Sequence, residues 1–274
     1  MVLTSPSVAA AIEAAEAHHL RQQVDTWRAL GAAQAHVVEI GGGVAAFTER
    51  LFGRKLNHVT GLGMRGPVDA DALGRLEAAY AARGLGMEID LCPHVVPGLL
   101  PLLASRGYSV NAFSNTYART LHDVPDRDDG IEVLQGAEAD AQFVEASIGG
   151  FTLQAEKRPR ELLHALARIA LARDDTALFV ARIDGVVAGS AGLSIAETPL
   201  GRVGELYIAS TLPEFRGRGV QTALLRARLA AAKAAGCALA VVMARPANSS
   251  ARNTERAGFS LAFTKATFAK PFSG

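Results

Sequence analysis

Two kinds of pattern alternate along the 274-residue chain. In one, apolar positions recur every three or four residues, as on a helix with one buried face; in the other, short runs rich in Val, Ile and Phe mark strands. Ser7 is placed as the N-cap of an Ala-rich helix running over 7–30, where Gly31 offers the stop. A hairpin is predicted next, from 36–40 and 44–47, with Gly41-Gly42-Gly43 supplying the positive φ that a tight turn needs. A strand near 58–62, a helix over 69–82, a strand over 87–91 and a short helix over 96–105 follow, the last ended by Gly107. The stretch 122–130 is charged, carries Pro125 and has no apolar periodicity, so it is expected to be an interdomain linker.

The second half repeats the order. Helices are expected over 141–148 and 159–172, then a hairpin of 177–183 and 186–195 turned at Asp184-Gly185, and a third strand over 203–209. A loop at 214–219 opens a helix reaching about Ala235, followed by a strand over 239–244, a short helix over 250–257 and a closing strand over 259–269. Strand and helix alternating in this way imply an α/β fold with a sheet of mixed direction. One gapless offset of 151 residues lays Arg65-Gly66 on Arg216-Gly217, the strand 87–91 on 238–242, and Gly107-Tyr108 on Gly258-Phe259. That agreement of element order points to a duplicated domain: 1–124, a linker at 125–130, and 131–274.

Composition narrows the partners. A length of 274 residues suits two cores, and 49% hydrophobic with 20% charged residues is ordinary for a globular protein. A net charge of +1 gives no electrostatic reason to expect nucleic acid or an anionic membrane as partner. Two cysteines, Cys92 and Cys237, are too few for a disulfide framework or the usual four-ligand zinc patterns, so no metal is expected. The first residues lack a basic segment leading into an apolar run, and no stretch stays apolar for about 20 residues, so a cytoplasmic location is the expectation, as monomer or homodimer.

The chemistry enters at Arg216-Gly217-Arg218-Gly219-Val220-Gln221. A loop that leaves a strand and opens a helix directs several N–H groups without intrahelical partners at one spot, where the helix dipole also favours an anion. The two glycines let the backbone approach a pyrophosphate, and Arg216 and Arg218 can add charge-assisted bonds. Taken alone, such a turn is weak evidence and reads first as a solvated start to a helix.

The longer run decides between these. Glu205-Leu206-Tyr207-Ile208, then Leu212-Pro213-Glu214-Phe215-Arg216-Gly217-Arg218-Gly219, Leu224-Leu225 and, after a strand, Ala257-Gly258-Phe259 together resemble the GNAT superfamily of N-acetyltransferases. The phosphate-binding pattern of that family is matched at Arg216 and Gly219, whereas Gln221 replaces its last small residue and narrows the room beside the phosphates. The resemblance covers about 131–268, with 7–119 as a decayed copy. It implies tandem GNAT-like domains, the second transferring an acyl group from acetyl-CoA to a primary amine of a small molecule or peptide by direct attack in a ternary complex. The pyrophosphate would lie on Arg216 to Thr222, that is Arg216, Gly217, Arg218, Gly219, Val220, Gln221 and Thr222. Pantetheine would pair with the backbone of Ile208, Ala209 and Ser210 in a gap between splayed strands, with Asn248 and Asn253 nearby. Asn248 reads equally as a turn or N-cap residue.

That reaction needs an amine freed of its proton, donors for the thioester oxyanion and a proton for the thiolate. The strand period places Glu205 and Tyr207 on one face. Glu205 is the general-base candidate, since a carboxylate near a sheet centre is costly unless used or paired; an ion pair with Arg202 or Arg182 is the alternative. Tyr207, the second candidate, reads equally as core. Many family members carry a tyrosine four residues before the final Gly-Phe pair; here Thr254 stands there, a poor proton donor, and this keeps open a noncatalytic acyl-CoA-binding sensor. At the positions matching Arg218, Gly219, Val220 and Thr222, the first half has Pro67, Val68, Asp69 and Asp71, which remove a donor, add a branched Cβ and bring carboxylates, so no coenzyme is expected there.

Overall fold

The computed structural model describes residues 4–124, 130–152 and 158–271. The chain forms two compact units that are not contiguous halves: one takes 117–261, the other 4–116 together with 262–271. Most of the expected linker, 125–129, lies outside the described residues. The closing strand, expected wholly in the second domain, gives its distal part to the first unit. An apolar-polar pattern reports that a segment is a strand, not which sheet it joins.

In the N-terminal unit, α1 (Pro6–Ala29) begins one residue before the expected cap. Ser5, not Ser7, is the N-cap: its side chain accepts from the Val8 N–H at 3.2 Å, and Pro6 occupies the first turn, where a missing N–H costs nothing. Strands β1 (His36–Ile40) and β2 (Gly43–Phe47) pair antiparallel from His36↔Phe47 to Ile40↔Gly43. Gly41 and Gly42, at φ 55° and 85°, make the turn between them. The short β3 (Val59–Thr60) pairs antiparallel with β2 and parallel with β4 (Met87–Leu91). Helix α2 (Ala70–Ala81) is capped by Asp69, whose carboxylate accepts from the Asp71 N–H at 3.0 Å. Helix α3 (Leu99–Ser105) starts later than expected because Pro97 holds Val96 out of helical geometry. Leu73, Tyr80, Ile89 and Leu103 are fully buried at the centre of this core, and the Tyr80 hydroxyl donates to the Ala46 carbonyl at 2.9 Å.

Strand β5 (Ser109–Thr120) has no counterpart in the sequence expectation; its mixture of Ser, Asn and aromatics gives no clean alternation. The same holds for β6 (Glu132–Gln135), too short to carry a period. Helix α4 (Ala137–Thr152), expected over 141–148, continues through Gly149-Gly150; there the helix lies against β-structure so closely that a Cβ on Gly150 would strike Ser210. Then follow α5 (Arg160–Ala172), β7 (Thr176–Ile183), β8 (Val186–Thr198) and β9 (Gly201–Thr211). After β9 come α6 (Val220–Ala234), β10 (Leu239–Ala244), α7 (Ser249–Arg256) and β11 (Ser260–Lys270). Strands β6 to β9 run antiparallel and β10 parallel to β9, so the sheet is of mixed direction as expected. One face carries α6 over Leu193, Leu206 and Ala240; the other carries α4 and α5 over Leu178, Val180 and Tyr207.

Candidate functional site

The site is built where β9 leaves its neighbours. The ladder between β9 and β10 runs from Val203↔Leu239 to Glu205↔Val241 and ends, although β9 continues to Thr211 and β10 to Ala244. On the other side, the register of β9 against β8 slips between Ser190↔Ser210 and Gly192↔Tyr207, so two residues, Ile208 and Ala209, face one. Ile208 sits at φ 47°, a left-handed conformation that a β-branched residue adopts only when its surroundings impose it. The resulting splay places the backbone of Ile208, Ala209 and Ser210 along the opening between the strands, as the family resemblance implies.

Beyond β9, Phe215 anchors the loop in the core while Arg216, Gly217, Arg218 and Gly219 are exposed. Gly217 and Gly219 adopt φ 78° and 87°, and Gly219 is the N-cap of α6, with no side chain bonded to the first-turn N–H groups. Val220, Gln221 and Thr222 therefore present N–H groups for which the helix itself has no acceptor. Arg218 lies 3.7 Å from the exposed Asp184 and 5.5 Å from the Phe215 ring. Gln221 does not intrude on this cradle: its amide is turned to α7, where Asn253 Nδ2 donates to its Oε1 at 2.6 Å. Asn253 is thereby engaged, and Asn248 caps α7 by accepting from the Ala251 N–H at 2.7 Å. Of the two roles open to Asn248 in sequence, the side chain takes the cap.

Glu205 is 3% exposed. The two arginines weighed as its ion-pair partners are engaged elsewhere: Arg202 donates to Glu197 at 2.6 Å and Arg182 to Gln142 at 2.8 Å. The charge of Glu205 acts instead on Tyr207, the second candidate, and on Arg173, which no sequence signal singled out. Arg173 is buried in a forked pair with Asp175, at 2.8 and 2.7 Å, and its guanidinium lies 5.8 Å from the Tyr207 ring. The Tyr207 hydroxyl is 3.0 Å from Thr176 Oγ1, and burial pushes its pKa up to about 12 against the lowering by Arg173. Tyr207 is thus both core, through its packing against α5 and β7, and part of a polar group with Glu205. Thr254, at the position of the family's usual tyrosine, is fully buried and its Oγ1 has no hydrogen-bond partner.

In the N-terminal unit the corresponding places differ. Thr60 pairs with Asp90 as Glu205 pairs with Val241. Asp90 and Val241 are 151 apart in sequence, but Thr60 and Glu205 only 145, so the gapless offset fails ahead of Arg65: the first half lacks the bulged extension of β9. The start of α2 is already closed by the Asp69 carboxylate, and Val68 and Arg65 crowd Gly41 and Gly42.

That unit also holds a polar cluster with no sequence signal. Lys265 of β11, 1% exposed, pairs with Glu13 at 2.7 Å and with Glu16, both on α1, while Asp90 takes Arg54 and Thr267. Glu16, His58 and Asp90 each bring a ligand atom within 4.8 Å of the others. Lys265 and Arg54 already neutralise the two carboxylates, so a divalent ion would face two cations at close range.

These features define a mixed α/β fold class. Residues 142–259 match the family model described as "Acetyltransferase (GNAT) family". The fold of the whole chain is similar to that of a GCN5-related N-acetyltransferase from Kribbella flavida (21% identity, TM-score 0.62, covering 92% of this chain and 95% of that one). It is also similar to a GCN5-related N-acetyltransferase from Sphaerobacter thermophilus (16%, TM-score 0.53, 87% and 76%). A tandem GNAT protein from the clavulanic acid biosynthesis pathway matches with 16% identity, TM-score 0.53, and 74% and 71% coverage. At such identities these likenesses speak for the fold alone. No curated protein matches the chain.

Proposed function

We propose that the C-terminal unit transfers an acetyl group from acetyl-CoA to a primary amine of a small molecule or peptide, by direct attack in a ternary complex, and that the N-terminal unit is a GNAT-like copy without a coenzyme site. The observation that carries this reading is the uncapped start of α6. Two glycines at positive φ and two exposed arginines converge there on the end of a splayed strand pair, which suits a pyrophosphate followed by an extended pantetheine. The bulged backbone of Ile208 and Ala209 would receive the thioester carbonyl, and Glu205 would take the amine proton, directly or through water. The amine can be sought as release of coenzyme thiol from acetyl-CoA across a panel of amines, where a lack of release with every amine would favour the second reading.

That second reading, a noncatalytic acyl-CoA sensor, draws support from Thr254, which is sealed in the core and cannot supply the leaving thiolate with a proton.

Both readings require the loop. Replacing Arg216 by Ala together with Gly219 by Val, a residue strained at φ 87°, is expected to weaken acetyl-CoA binding at least tenfold, about 1.4 kcal/mol. Unchanged calorimetric affinity in a folded double variant would remove the loop from the site. In the intact chain, titration should saturate at one acetyl-CoA per chain and be indifferent to Arg65→Ala, because Asp69 already occupies the place of an anion at α2. Saturation at two per chain would refute the reading of the N-terminal unit.

A further inference from the structure

The face of α6 that takes Val220, Leu224 and Leu229 into the core also takes Arg228, 1% exposed. Its Nε donates to the Leu224 carbonyl at 3.0 Å and its Nη1 to the Gly192 carbonyl at 3.4 Å. Among the described residues no carboxylate pairs with it, and burial alone lowers its pKa to about 9. A guanidinium held in a core without a counter-ion is expensive, and an apolar side chain of the same volume would pack there at lower cost. The acceptor it has found is therefore informative. Gly192 is the β8 residue opposite Tyr207, next to the register slip, and a Cβ on it would lie 2.9 Å from the Tyr207 ring and 3.0 Å from Ile208.

We propose that Arg228 is a positioning residue for acyl transfer: its bond to the Gly192 carbonyl fixes the β8–β9 bulge, and with it the Ile208–Ala209 backbone that receives the thioester. This rests on the acyl-transfer reading above. Arg228 touches neither substrate; it acts through Gly192. A left-handed Ile208 has to be imposed from outside, and a donor on the carbonyl across the slip is a means of imposing it. A shift of about half an ångström in that backbone would move the oxyanion donors off their target while leaving the phosphate loop untouched.

The test uses the full chain. Arg228→Met keeps the stem and removes the charge and donors; Arg228→Lys keeps the charge but not the fork. For Arg228→Met the expected result is a kcat lowered about tenfold or more, with acetyl-CoA affinity within about threefold of the parent and a melting temperature no lower. Arg228→Lys should recover part of the turnover. Amide hydrogen exchange at Ile208 and Ala209, measured with coenzyme A saturating, should quicken in Arg228→Met. Unchanged exchange there overturns the proposal whatever happens to turnover, and a kcat within twofold of the parent overturns it as well. If the parent binds acetyl-CoA but transfers to no amine, the acyl-transfer reading fails, while the exchange comparison still decides whether Arg228 holds the bulge.

Discussion

Lys265→Met is expected to destabilise the N-terminal unit by about 3–5 kcal/mol, the scale on which breaking a buried ion pair leaves its partner charge uncompensated. Lys265 is the ammonium to which Glu13 and Glu16 are both committed, and all three side chains are buried. Burial by itself would lower the lysine's pKa, but Glu13, Glu16 and Asp90 outweigh it and raise it, so the pairing contributes fully below the unfolded value of 10.5 and is lost only above it. Burial lifts Glu13 to about 7 against the pull of Lys265. Once the lysine is gone, nothing offsets the burial of Glu13 and its carboxyl takes a proton even more readily, so the deficit of the variant should be largest at alkaline pH and already shrink as pH falls towards about 7. The single tryptophan, Trp27, lies on α1, so its fluorescence during urea unfolding follows this unit. A midpoint within experimental error of the parent at pH 8 would show that Lys265 is not structural.

Glu205→Gln keeps the shape and hydrogen-bonding capacity of the side chain but cannot take a proton. If the carboxylate is the general base, turnover should drop by roughly two orders of magnitude, with acetyl-CoA affinity nearly unchanged. The burial of Glu205 on the face shared with Tyr207 and Arg173 makes this a demanding experiment, since loss of charge also alters that group. The pH-rate profile separates the two effects: an acid limb that persists in the variant with the parent's rate would assign Glu205 to structure. Replacing Tyr207 by Phe is the companion measurement, expected to leave the acid limb in place.

The legible part of this fold was local. Met87–Leu91 declares itself through strict apolar-polar alternation, Leu239–Ala244 and the hairpin turned at Asp184-Gly185 through apolar runs with β-branched residues bounded by turn residues, and the Arg216 to Gly219 loop through glycines that adopt positive φ. What stayed hidden was set by distant residues. Ser109–Thr120 is a strand because its neighbours make it one, and the bulge at Ile208 depends on Gly192, sixteen positions away. Glu13 and Glu16, on one helix, lie far in sequence from Asp90 and Lys265, and nothing but the fold brings them together. Arg228 did leave a trace, as a cation at i+8 from Val220 and i+4 from Leu224 on a buried stripe, which an inspection of helix faces for misplaced charge would have found.

The membership of the last strand in the first unit bears on the order in which the protein is made. Chains emerging from a ribosome ordinarily fold their leading domain first. Here 117–261 is a contiguous stretch that can close on itself, whereas α1 waits with two carboxylates on its buried face until Lys265, about 250 residues later, has been synthesised. The unit built from 117–261 is thus the first whose residues are all present, and the other is held open by a long loop closure until Lys265 has been added. A chain truncated after residue 261 would hold a complete C-terminal unit beside an N-terminal segment still accessible to proteases.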